Sequence, residues 1–115
     1  MSNENERVES VMRALIRACQ DQIRPSIRRT GIDERDLAFE AGLLTPPEME
    51  SIIYGPRKRN GVLKLFRAIE SEGLIIMNME GNGVYRILPT SKGEKFVAQL
   101  PQPWYRKLWT RLRKL

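Results

Sequence analysis

Between Lys58 and Phe96 the spacing of apolar residues changes from helical to alternating and back, and this double switch constrains the fold more than any other feature of the chain. From about Lys58 to Glu72, Val62, Leu65, Phe66 and Ile69 recur at steps of three and four, with Leu63 flanking them. That is the inner face of an amphipathic helix. Asn60, Lys64, Arg67 and Ser71 recur at the same steps on the opposite side. Gly73 follows, the residue type that most readily closes a helix. Leu74–Asn78 and Val84–Leu88 then read as two strands joined by Glu80-Gly81-Asn82-Gly83. Asn-Gly is among the strongest hairpin signals. Thr90 is placed to cap a further helix carrying Phe96, Val97 and Leu100, which Pro101 and Pro103 bring to an end.

Upstream, Asn3–Arg24 reads as a helix, with Val8, Val11, Met12, Leu15, Ile16, Cys19 and Ile23 along one face and Arg13 and Arg17 on solvated positions. Pro25 stops it, and Ile27–Gly31 reads as a connector. Asp33 can cap a second helix running to about Ala41, with acids in its first turn where the helix dipole favours them. Leu37, Ala38 and Ala41 form its inner side, and Gly42 is a natural stop. Thr45, followed by Pro46, Pro47 and Glu48, begins a third, short helix over Pro46–Ile53, with Met49, Ile52 and Ile53 on its apolar side. Tyr54-Gly55-Pro56 reads as a turn. The expected class is mainly α with a small β-hairpin (α+β). Residues 1–101 form one domain, and residues 102–115 follow it as a basic amphipathic helix. A chain of 115 residues suits a single core of that kind.

The formal net charge is +6, and it is unevenly placed. Arg57, Lys58, Arg59, Lys64 and Arg67 fall within eleven residues that contain no acid. Arg106, Lys107, Arg111, Arg113 and Lys114 fall within the last twelve, again without an acid. The rest of the chain is net acidic. Basicity gathered in two places points to an anionic partner more than to general solvation. A helix fits the major groove of B-DNA, where Asn pairs bidentately with adenine and Arg with guanine. Asn60, Lys64, Arg67 and Ser71 lie on the face such a helix would present. Arg57, Lys58 and Arg59 would sit near phosphates at its start, and Gly61 leaves room for close approach of the backbone. The turn at Met79–Gly83 is short, so Arg86 is the better candidate for a phosphate contact from the hairpin. Isolated surface cations are usually only solvated, but five on this one helix favour contact with DNA.

The run from Leu63 to Ile75, LKLFRAIESEGLI, resembles the recognition helix and first wing strand of winged-helix regulators. The run from Val84 to Phe96, VYRILPTSKGEKF, resembles their second wing strand and following helix. The similarity, over about Asn60–Phe96, is to transcription regulators of the PadR and MarR types. It implies a winged helix-turn-helix with additional N-terminal and C-terminal helices, and a dimeric regulator of transcription that binds double-stranded DNA. The chain departs from the family in having two elements, Asp33–Ala41 and Pro46–Ile53, where the first half of the helix-turn-helix is expected. A winged helix also serves as a protein-docking module or adaptor, and that reading stands beside DNA binding.

In the C-terminal segment Trp104, Tyr105, Leu108, Trp109, Leu112 and Leu115 form one apolar stripe. Packing on the core comes first among its readings and dimerisation next. A helix lying on an anionic membrane surface and a further contact with DNA phosphates complete the alternatives. There is no histidine, and the single cysteine, Cys19, falls on an apolar stripe and reads as a small hydrophobe. No paired-carboxylate, nucleophile–base or metal-spaced constellation stands out, so the expectation is a non-enzyme without a cofactor or metal. Asp33, Glu34, Asp36 and Glu40 read as a helix-start charge pattern. No apolar run approaches the ~20 residues of a membrane span, and the polar N-terminus lacks the form of a signal peptide. A cytoplasmic protein is expected.

Overall fold

The computed structural model describes residues 3–47, 56–81 and 83–100. Helix α1, Asn3–Cys19, buries Val11, Met12 and Leu15 of its expected face, with Val8 and Cys19 packed half-buried beside them. Ala14 and Ala18, outside that expected face, are buried as well, while Ile16 is only half-buried. The helix ends five residues short of the expected Arg24. The Asp21 carboxylate accepts from the Ile23 backbone N–H and the Arg24 Nε, both at 2.8 Å. Such a local bond offers the backbone an alternative to another helical turn. Ile23, expected on the apolar face, is therefore 90% exposed. Arg24 turns instead to Glu40, 2.8 Å away.

The expected connector contains a single helical turn, α2, Ile27–Thr30, followed by a strand that the sequence did not announce: β1, Ile32–Asp33. Gly31 makes their junction possible. Its φ is 91°, and a Cβ there would lie 2.9 Å from both the backbone N and O of Ile87. Helix α3, Glu34–Glu40, follows at once. Asp33 caps it, accepting from the Arg35 N–H at 2.8 Å. It closes at Gly42, φ 81°, with Leu43 N–H bonded to Ala38 O and Gly42 N–H to Phe39 O, a paired C-terminal cap. Beyond Pro47 the expected third helix lies outside the described residues.

Helix α4, Pro56–Ser71, starts two residues before its expected beginning. Proline suits a first helical position, where the missing N–H has no helical partner to lose. Strands β2, Ile75–Met79, and β3, Tyr85–Pro89, are each displaced one residue from expectation. They pair antiparallel from Ile75↔Pro89 to Met79↔Tyr85. β1 adds to the other side of β3 through Ile32↔Ile87 and Asp33↔Arg86, giving a sheet ordered β1-β3-β2. Helix α5, Ser91–Gln99, closes the described chain.

The segments Gly73-Leu74 and Thr90–Gly93 lock the two ends of the hairpin together. Gly73 has φ 79°. Its carbonyl accepts from Thr90 Oγ1 at 2.6 Å, while that same oxygen caps α5 by accepting from Gly93 N–H at 3.0 Å. Lys92 Nζ donates to Glu72 O at 2.7 Å, placing a cation at the negative end of α4. Gly93 is buried so tightly that a Cβ would stand 2.1 Å from Leu74 O. The result is a mixed α+β unit, with five helices and a three-stranded antiparallel sheet among the described residues. Phe66, Met12, Leu15, Ile32, Leu37, Ile69 and Ile87 fill a single core drawn from α1, β1, α3, α4 and β3. None of the described helices is long and apolar enough to cross a membrane.

Candidate nucleic-acid interface

The core fixes which way α4 faces. Val62, Phe66 and Ile69 are buried, and Leu65 packs half-buried beside them. At 100° per residue the opposite side carries Arg57, Asn60, Lys64, Arg67 and Ser71, and all five are exposed. Gly61 and Ala68, also exposed, add little bulk between them. The first acid in the helix is Glu70. Sixteen residues make a helix about 24 Å long, slender enough for a major groove ~12 Å wide. The Ser71 hydroxyl donates to Ala68 O at 2.7 Å, leaving its lone pairs as the free function on that side chain. Lys58 is exposed on the flank nearer α1. There Arg57 and Lys58 border a groove of about 560 Å³ with Glu6, Arg7 and Ser10, so α1 brings both an acid and a cation beside the start of α4. Sequence spacing gave no sign of these neighbours, because α1 and α4 meet only in the fold.

Arg59 has a different role from the one its charge suggested. It lies three residues before Val62 and seven before Phe66, on the inner face. Its guanidinium binds the Glu34 carboxylate through Nη2 to Oε1 at 2.9 Å and Nε to Oε2 at 3.3 Å. Nη2 also donates to Gly83 O at 2.6 Å. The Glu34 side chain is 1% exposed, and its Oε1 accepts in addition from the Tyr85 backbone N–H at 3.1 Å. One buried carboxylate thus joins the start of α3, the first turns of α4 and the hairpin. The helix-start pattern expected of Glu34 is only part of what it does.

The hairpin flanks α4 on the side of Arg67. The Arg67 Nη2 donates to the Tyr85 hydroxyl, and its guanidinium carbon lies 5.3 Å from the centre of that ring. Tyr85 was not among the expected site residues. Its place opposite Met79 at the head of the strand pair is what brings it to the helix. Arg86 is half-exposed and is drawn back toward the protein. Its Nη1 donates to Gly31 O at 3.4 Å, and its Nε is 3.7 Å from Glu80. The structure therefore gathers Arg57, Asn60, Lys64, Arg67 and Ser71 on one surface, and it turns Lys58 away from that surface toward α1. It sets Arg59 into a structural pair and holds Arg86 behind the hairpin. Trp104, Tyr105, Leu108, Trp109 and Leu112 lie outside the described residues.

Among the described residues no group of histidine, cysteine or acidic side chains is arranged to hold a metal ion. Burial pushes the Cys19 thiol above its ordinary range, with Glu94 adding to the effect and Arg28 opposing it, so the nucleophilic thiolate is disfavoured. In comparisons with protein-family models, curated proteins and solved structures, none matches this chain.

Proposed function

We propose that this chain is a DNA-binding protein of winged-helix type that presents α4 to the major groove and acts as a dimeric regulator of transcription. The observation that carries the reading is the outer face of α4. Arg57, Asn60, Lys64, Arg67 and Ser71 are exposed together, and no acid precedes Glu70 in that helix. Lys64 and Arg57 supply the charge that phosphates attract, and Asn60 and Arg67 supply donors suited to base edges. The hairpin follows α4 directly and gains β1 as its third strand, an arrangement that agrees with a wing packed beside a recognition helix. The Arg59–Glu34 pair ties helix and hairpin into one body, so both would meet the duplex in a fixed relation.

Fluorescence anisotropy on labelled duplexes of about 25 base pairs, titrated with salt, tests the reading. Three to five phosphate contacts give a slope of log K against log salt of roughly −3 to −5. Tighter binding to duplexes selected from a random pool than to the pool itself marks a reader of sequence. Absence of binding at low salt removes the proposal and leaves docking on a protein as the reading to pursue.

A further inference from the structure

Tyr85 stands where the hairpin meets the outer face of α4, and it is held there on two sides. Its backbone N–H donates to the buried Glu34 carboxylate at 3.1 Å, and it pairs with Met79 in the sheet. Its hydroxyl accepts from Arg67 Nη2, and its ring lies alongside the same guanidinium. Arg67 is otherwise an exposed side chain on a helix surface, the kind that loses much rotamer freedom when it docks. We infer that Tyr85 is a positioning residue for sequence recognition, which holds the Arg67 guanidinium in the geometry that meets a base edge. The inference rests on the DNA-binding reading of α4.

The chemistry leaves Arg67 competent while it is held. A guanidinium has five N–H donors, and the tyrosine hydroxyl occupies one. Nη2 keeps its second hydrogen, which with Nη1 or Nε still forms the parallel pair that guanine O6 and N7 accept. Fixing the side chain before DNA arrives lowers the ordering cost of docking and penalises duplexes that lack the matching acceptors. Lys64, with a flexible stem, supplies charge without that geometric demand.

The test is a double-mutant cycle read on two DNA probes: a 25-base-pair duplex enriched from a random pool by the wild-type protein, and the unenriched pool. Tyr85→Phe keeps the ring, the strand pairing and the backbone bond to Glu34, and removes only the hydroxyl. The expected result is a roughly three- to tenfold loss of preference for the enriched duplex, with pool affinity and salt slope unchanged. In the Arg67→Lys background, Tyr85→Phe should cost nothing further, because the residue it positions has lost its fork. A merely structural tyrosine would lower affinity for both probes and act additively with Arg67→Lys, and either outcome overturns the inference. If wild type binds DNA and Tyr85→Phe keeps its preference, only the role of Tyr85 falls. If wild type enriches no sequence, the inference falls while DNA binding stands. If wild type binds neither probe, both readings fall.

Discussion

Glu34 and Arg59, twenty-five residues apart, form an ion pair at 2.9 Å in which the carboxylate is almost wholly removed from water. The geometry is forked, and the remaining acceptor capacity of Oε1 is filled by the Tyr85 N–H. A buried carboxylate is tolerated when it is paired and hydrogen-bonded in this way. The pair joins α3, α4 and the hairpin, so its effect is architectural as much as energetic.

Removing Arg59 leaves Glu34 buried beside a single backbone donor. Arg59→Met is expected to destabilise the fold by about 2–3 kcal/mol, below the figure for a fully buried pair because Arg59 is one-third exposed. Glu34→Gln combined with Arg59→Met should be milder than Arg59→Met alone, since the stranded charge is then gone. Urea unfolding of the variants measures both. A loss below about 0.5 kcal/mol for Arg59→Met would show that the pair holds nothing together.

Gly93 has no room for a side chain, with Leu74 O 2.1 Å and Met12 Cε 2.9 Å from where a Cβ would stand. Helix propensity alone favours alanine over glycine by about 1 kcal/mol. The backbone clash outweighs that gain, so Gly93→Ala should destabilise by several kcal/mol as α5 is pushed off the start of β2. Thermal unfolding followed by circular dichroism decides the sign. A variant as stable as wild type would mean that the close approach of Gly93 to Leu74 is not a feature of the folded protein.

Asp21 offers a pH signature. The hydrogen bond from Arg24 holds its carboxyl below the ordinary value of 3.8, with the Ile23 N–H adding to the effect. The folded state therefore releases this proton more readily than the unfolded chain does. The contribution is present above the ordinary value and is lost as pH falls through the depressed one. The stability difference between wild type and Asp21→Asn should hold constant from pH 7 to pH 5 and shrink below about pH 4. Denaturant unfolding across that range checks it, and a difference that grows in acid would contradict the assignment.

The parts of the fold that the sequence disclosed are those with a period or a punctuating residue. Val62, Leu65, Phe66 and Ile69 announce the inner face of α4, Gly73 its end, and Thr90 the cap of α5, each within a residue or two. β1 has two residues and no period to read, so it emerged only through Ile32 pairing with Ile87. Ile23 continues the α1 spacing but is lost from the helix, because Asp21 captures its N–H. Of the candidate interface, the outer residues of α4 were legible from the same periodicity. Arg59 was grouped with its neighbours by charge, although its register with Val62 and Phe66 already placed it inward. Its partner Glu34 and the approach of Tyr85 to Arg67 are contacts between distant segments, and local spacing carries no trace of them.

The most direct test of the account replaces Lys64 and Arg67 together with Glu. Both side chains are exposed and the α4 core is untouched, so the protein should unfold at nearly the wild-type temperature. On a 25-base-pair duplex at low salt, wild type should retard the DNA and the double variant should leave it free. Reversing two charges on the docking face turns attraction into repulsion. Retardation of the same duplex by a folded double variant, at wild-type concentrations, would contradict the assignment of α4 as the surface that meets DNA.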